Sequence, residues 1–106
     1  MIKKFKLFLL IFFIFFNTSF LPVKSDSIFE IGKDIFLNKG CAACHMLREA
    51  KSEGKIGPNL NDIRPSKIRV LTSVTNGIGV MPSYQDQLTV GEIEAVAHYV
   101  SKSANQ

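Results

Sequence analysis

Cys41-Ala42-Ala43-Cys44-His45 is the stretch on which the reading of this chain turns. Cys-x-x-Cys-His is the attachment signature of c-type haem. On a helical turn, Cys41 and Cys44 project to one side, so both thiols can form thioethers with the two vinyl groups of one porphyrin. His45 then follows with its imidazole directed at the iron from the same face. Three other readings compete. A structural zinc site needs four ligands, usually two cysteine pairs, and this chain offers one pair with His45 and His98. A thioredoxin-like redox site needs a βαβ pattern around the motif, and no convincing strand is expected anywhere in 26–106. A disulfide would close a loop too small to staple anything and leaves His45 without a role.

The rest of the chain explains why a cofactor is wanted. Its 106 residues allow one small domain, and bulk composition misleads until it is split. Seven of the nine phenylalanines and four of the 13 basic residues precede position 26, where no acidic residue occurs. The formal charge of +4 therefore belongs to the leader, and 26–106 balances nine basic against nine acidic residues. A neutral domain argues against nucleic acid as a partner. Residues 26–106 hold four aromatics (Phe29, Phe36, Tyr84, Tyr99) and no Trp, a thin core for a domain of that size.

The leader reads as an export signal: Met1–Lys6 is positive, Leu7–Phe16 is unbroken apolar sequence, and Val23-Lys24-Ser25 suits a signal peptidase. Cleavage is expected after Ser25, giving a signal peptide over 1–25 and a soluble domain over 26–106. An uncleaved anchor is the alternative, although a spanning helix needs about 20 apolar residues and the run here has ten. Either way the domain faces the far side of a membrane, in a bacterial cell the periplasm; membrane attachment arises only if the leader is retained.

Helices and loops are predicted beyond the leader. Ser27-Ile28-Phe29-Glu30 suggests a capping box opening a helix to about Asn38, with Ile28, Ile31, Ile35 and Phe36 at helical spacing. Residues 46–62 read as a polar loop punctuated by Gly54, Gly57 and Pro58. A second helix is expected from Pro65 to about Thr75, with Ile68, Val70, Leu71 and Val74 on its apolar side and Asn76-Gly77 as the stop. The last helix starts at Thr89, with Glu92 completing a capping box and Leu88 and Ile93 placed as a staple. It runs to about Lys102 and buries Ile93, Val96, Ala97 and Val100.

An iron held by His45 needs a second axial ligand for six-coordinate electron transfer. Met46 follows His45 directly and sits on the attachment side. His98 lies inside a regular helix, as a partly exposed histidine would. Met81 lies in the late loop, with Gly77 and Gly79 before it and Pro82 after it. Glycines let the backbone approach a porphyrin, and the proline biases Met81 towards extended backbone. A methionine there would otherwise be a core gap-filler; with a haem to ligate, Met81 becomes the sixth-ligand candidate.

In order along the chain, Gly32 with Phe36, Cys41–His45, Gly57-Pro58-Asn59-Leu60, Gly79-Val80-Met81-Pro82, and Tyr99 with Val96 resemble the small class I cytochromes c of bacterial and photosynthetic type. The resemblance covers essentially all of 26–106. It implies an all-α fold, three main helices and loops wrapped around one covalent haem c, with Gly32 and Phe36 packed on Val96 and Tyr99 where the first and last helices cross. It also implies that the Pro58 carbonyl accepts the Nδ1 hydrogen of His45. Some relatives set a Trp against a haem propionate; none is present here, and Asn59 and Arg64 stand as the candidates. The implied function is single-electron transfer between a donor and an acceptor protein, with no catalytic residue and no small-molecule substrate. The other readings are a cytochrome subunit of an exported molybdenum or flavin dehydrogenase, and a five-coordinate haem protein binding a gas or peroxide.

Seven of the nine basic residues of 26–106 fall between Lys39 and Arg69, against three acidic ones. Either they form an ordinary solvated loop surface, or they rim the haem edge and steer an acidic partner.

Overall fold

The computed structural model describes residues 26–106; the expected signal peptide, cleavage site and possible anchor at 1–25 lie outside the described residues. Helix α1, Ser27–Asn38, is capped by Asp26, whose carboxylate accepts from the Phe29 backbone N–H at 3.2 Å. The expected capping box does not form: Ser27 is already helical, and the Asp26 carboxylate alone satisfies the orphan amide, the N3 residue Phe29 having no side-chain acceptor to return the bond. The buried stripe is also narrower than the periodicity suggested. Gly32, Ile35 and Phe36 are buried, whereas Ile28 and Ile31 are half exposed.

Gly32 explains that difference. A β-carbon on it would stand 2.1 Å from the Ala95 carbonyl oxygen and 2.6 Å from the Tyr99 β-carbon. The two backbones approach at this point, so burial concentrates around it and the isoleucines to one side remain in solvent. The partner is α5, Val90–Ala104, whose capping box between Thr89 and Glu92 is complete and whose Leu88 and Ile93 are buried as the staple requires. The helix runs two residues beyond Lys102 and buries Ala95, Tyr99, Ser103 and Ala104 in addition to the expected four. Tyr99 is the centre of the crossing: its ring packs edge-on against Phe29 with centroids 4.9 Å apart and lies 5.7 Å from Phe36. Burying such aromatic and aliphatic side chains is worth about 1.5–3 kcal/mol each.

Helix α2, Cys41–Cys44, carries the motif, and the segment after it corrects the expectation of a structureless loop without strands. Strand β1, Met46–Leu47, pairs antiparallel with β2, Ser52–Glu53, with Met46 opposite Glu53 and Leu47 opposite Ser52. Sequence periodicity has no purchase on two-residue strands; the hairpin forms because Leu47 is fully buried. Glu49, at its tip, accepts from the buried Tyr99 hydroxyl and from Lys33 Nζ at 2.8 Å, pinning the hairpin to the helix crossing. Burial alone would raise the Glu49 carboxyl, but the Lys33 and Tyr99 hydrogen bonds outweigh it and hold the group below its usual range. A further helical turn, α3, spans Leu60–Ile63 with Asn59 as its cap.

Helix α4 is Lys67–Asn76, beginning two residues after Pro65 because Ser66 caps it through Arg69 N–H. It buries Val70 and Val74, while Leu71 is partly buried and Ile68 is largely exposed. Helices α1, α5 and α4, with the short elements between them, give the mostly helical arrangement of three main helices expected above. Among the described residues no helix is long and apolar enough to cross a membrane.

Candidate haem site

The core is built around an apolar slot of about 350 Å³. Phe36, Val70, Val74, Val96 and Val100 are core residues that also wall it. Into this slot the fold brings Cys41, Cys44, His45, Pro58 and Met81 together.

The attachment motif reaches the slot because α2 is a single turn ending at His45, which is extended (φ −113°, ψ 136°) and so leaves the helix. Both thiols are free, and burial pushes that of Cys41 up to about 11. His45 is held from three directions. Its Nδ1 lies 2.9 Å from the Pro58 carbonyl oxygen; a carbonyl only accepts, so Nδ1 carries the hydrogen and the free lone pair is on Nε2. Gly57 covers the ring, and a β-carbon there would stand 2.6 Å from Cε1. The Ser52 hydroxyl donates to the His45 carbonyl at 2.9 Å and accepts from Leu47 N–H at 3.1 Å, fixing the backbone that leaves the ring.

Met81 is presented by a tight reversal that the sequence reading did not foresee. Ile78 and Met81 exchange both backbone hydrogen bonds, at 3.1 and 2.9 Å, around Gly79-Val80. Gly77, at φ 74°, caps α4 in a conformation that disfavours a side chain. The loop then folds back, with Tyr84 N–H donating to the Val74 carbonyl at 2.8 Å. The Tyr84 hydroxyl donates to the Lys39 carbonyl at 3.2 Å, tying this loop to the end of α1 just before Gly40 and Cys41. Tyr84 is buried and lines the slot, a role that its setting in a polar loop did not betray, although a lone aromatic there is itself a signal.

The other ligand candidates fall elsewhere. Met46 does not line the slot, and its sulfur accepts from Asn59 Nδ2 at 3.1 Å. His98 points to the helix-capping Asp26, 2.9 Å from its carboxylate. Of the seven basic residues from Lys39 to Arg69, Arg69 lines the slot, while Arg48, Lys51 and Lys55 gather at a separate polar cleft beside Met46 and Asn61. Lys39, Arg64 and Lys67 line neither place. The mouth of the slot is instead apolar, with Ile56, Ile78 and Val80 all strongly exposed.

These residues suit a covalent haem: two thiols, an imidazole with its Nε2 lone pair free, a thioether and an apolar slot. They do not suit zinc, since no group of three or more His, Cys, Asp or Glu able to hold a metal ion occurs among the described residues.

Comparisons with known proteins agree with that chemistry. The family profile described as cytochrome c oxidase, cbb3-type, subunit III matches residues 29–100. Cytochrome c6 of Bryopsis maxima is 37% identical over 83 residues, 73% of this chain and 93% of that protein. Cytochrome c6 of Rippkaea orientalis is 34% identical over 87% of this chain and 86% of its own length. The crystal structure of the c-type cytochrome SorU from Sinorhizobium meliloti superposes with a TM-score of 0.73 at 46% identity, covering 77% of this chain and 97% of that one.

Proposed function

This chain belongs to the class I c-type cytochromes, which bind haem c covalently and carry electrons, and from that membership we propose that His45 and Met81 ligate the iron of a single haem joined to Cys41 and Cys44, in a carrier working outside the cytoplasm. The observation that carries this reading is that Cys41, Cys44, Met81 and His45, its Nδ1 hydrogen already taken by Pro58, all line one slot.

The bound haem supplies an iron that gains and loses one electron. The chain's own residues set the conditions. Pro58 holds the Nδ1 hydrogen of His45 and so fixes its tautomer and orientation. The Ile78–Met81 reversal fixes the thioether, a ligand that raises the reduction potential. The valine and Phe36 walls exclude water, and the low dielectric disfavours the more highly charged oxidised form. His45 and Met81 would both hold the iron, leaving no place for a substrate, and the exposed Ile56, Ile78 and Val80 would surround the mouth where a donor or acceptor protein docks. The leader, basic and then apolar, supports an extracytoplasmic location.

The test is the visible spectrum of protein matured in a periplasm. Sharp low-spin bands in the reduced state, haem that resists extraction, and no uptake of carbon monoxide are expected. Ready carbon monoxide binding by the unmodified protein would overturn the six-coordinate reading.

A further inference from the structure

The walls of the slot carry one charged side chain, that of Arg69. It stands on the first turn of α4, and Val70, Ser73 and Val74 on the same side of that helix line the slot with it. Arg69 is itself exposed, so it marks the place where the apolar wall meets water. Lys67, two residues earlier, pairs with Glu94 at 3.1 Å, Lys33 pairs with Glu49 at 2.8 Å, and neither lines the slot. Arg69 has no ion-pair partner among the described residues, and no Asp or Glu lines the slot to take one.

A haem carries two propionate carboxylates, which must leave an apolar slot where it opens to solvent. On the haem-site reading above, the geometry points to Arg69 as the residue that binds a haem propionate, its guanidinium donating to the carboxylate. The residues nominated from sequence stand apart from the slot wall. The Asn59 side chain caps α3 through Asn61 N–H at 3.0 Å and donates to the Met46 sulfur, and neither Asn59 nor Arg64 lines the slot. A guanidinium is always charged and matches a carboxylate with two parallel hydrogen bonds, so the propionate is held ionised. Its positive charge also favours the reduced haem over the oxidised one.

The experiment uses holoprotein expressed from the full chain and matured in a periplasm. Reduction potentials are measured between about pH 4, near the ordinary carboxyl value, and about pH 8, for wild type, Arg69→Gln, Arg69→Lys and Arg64→Gln. The titratable side chains lining the slot besides Arg69 are His45, Tyr84 and the two cysteines, all unchanged in these variants. Wild type is expected to give a nearly flat profile. Arg69→Gln should lower the potential at neutral pH and introduce a slope, the potential falling as pH rises and the propionate loses its proton. Arg69→Lys should restore most of the flat profile, and Arg64→Gln should follow wild type. An Arg69→Gln protein with the wild-type potential and profile, or a slope appearing in Arg64→Gln instead, would overturn the assignment. Failure of the underlying reading is separately visible, because a wild-type spectrum without covalent low-spin haem would be its signature.

Discussion

Gly57 lies flat against the imidazole of His45: a β-carbon on it would stand 2.6 Å from Cε1 and 2.8 Å from Nδ1. The ring is thereby clamped between a backbone that comes too close for any side chain and the Pro58 carbonyl that takes its Nδ1 hydrogen. Gly57→Ala should push the ring off its axis, costing about 1–3 kcal/mol by overpacking and shifting both spectrum and potential. Gly91→Ala is the control, since the nearest atom to a β-carbon there is 4.0 Å away; it should be neutral or slightly stabilising. Denaturant midpoints and visible spectra of the two holoproteins make the comparison.

Met81→Ala should keep its haem, because attachment depends on Cys41 and Cys44. The iron should lose its thioether bond and the weak far-red band that reports it, with a lower potential and binding of carbon monoxide or imidazole. Met46→Ala should leave ligation intact, since Met46 lies outside the slot against Asn59. The ligand assignment fails if Met81→Ala keeps the wild-type spectrum and His98→Ala abolishes it.

Cys41→Ala combined with Cys44→Ala should leave the chain largely unstructured. The slot left unfilled has a volume of about 350 Å³, and apolar cavities cost about 24 cal/mol per Å³. Even if solvent relieves much of this, the loss is on the order of several kcal/mol, comparable with the whole stability of a small domain. Circular dichroism checks this: a native-like helical spectrum with a cooperative melt in the double variant would contradict it.

Asp26 caps α1 while accepting from His98 at 2.9 Å and Lys102 at 3.1 Å on α5. Hydrogen bonds from His98, then Lys102 and the Phe29 backbone, lower its carboxyl from 3.8 to about 2. The folded value lies below the unfolded one, so its stabilisation is fully present above about pH 4 and is lost as pH falls towards about 2. Asp26→Asn should therefore lower Tm at neutral pH, with the gap to wild type closing through that acid range. A gap unchanged down to about pH 2 would contradict the linkage.

The sequence by itself determined the cofactor, the family and most of the helix boundaries, for reasons that are local. Cys41, Cys44 and His45 lie within five consecutive positions, and Thr89 with Glu92 closes a cap across a single turn. Gly32, Phe36, Val96 and Tyr99 were read together only through family resemblance, and the structure supplies the physical cause in the close backbone contact at Ala95. What tertiary structure alone decided depends on groups far apart in the chain. Glu49 meets Tyr99 and Lys33 because the hairpin folds onto the helix crossing. Tyr84 reaches the Lys39 carbonyl across 45 positions, and Asp26 replaces Ser27 as a cap that also binds α5. Arg69 became distinct from six other basic residues only once α4 was set against the slot, because charge along a sequence does not say which cation borders an apolar cavity and which merely faces water.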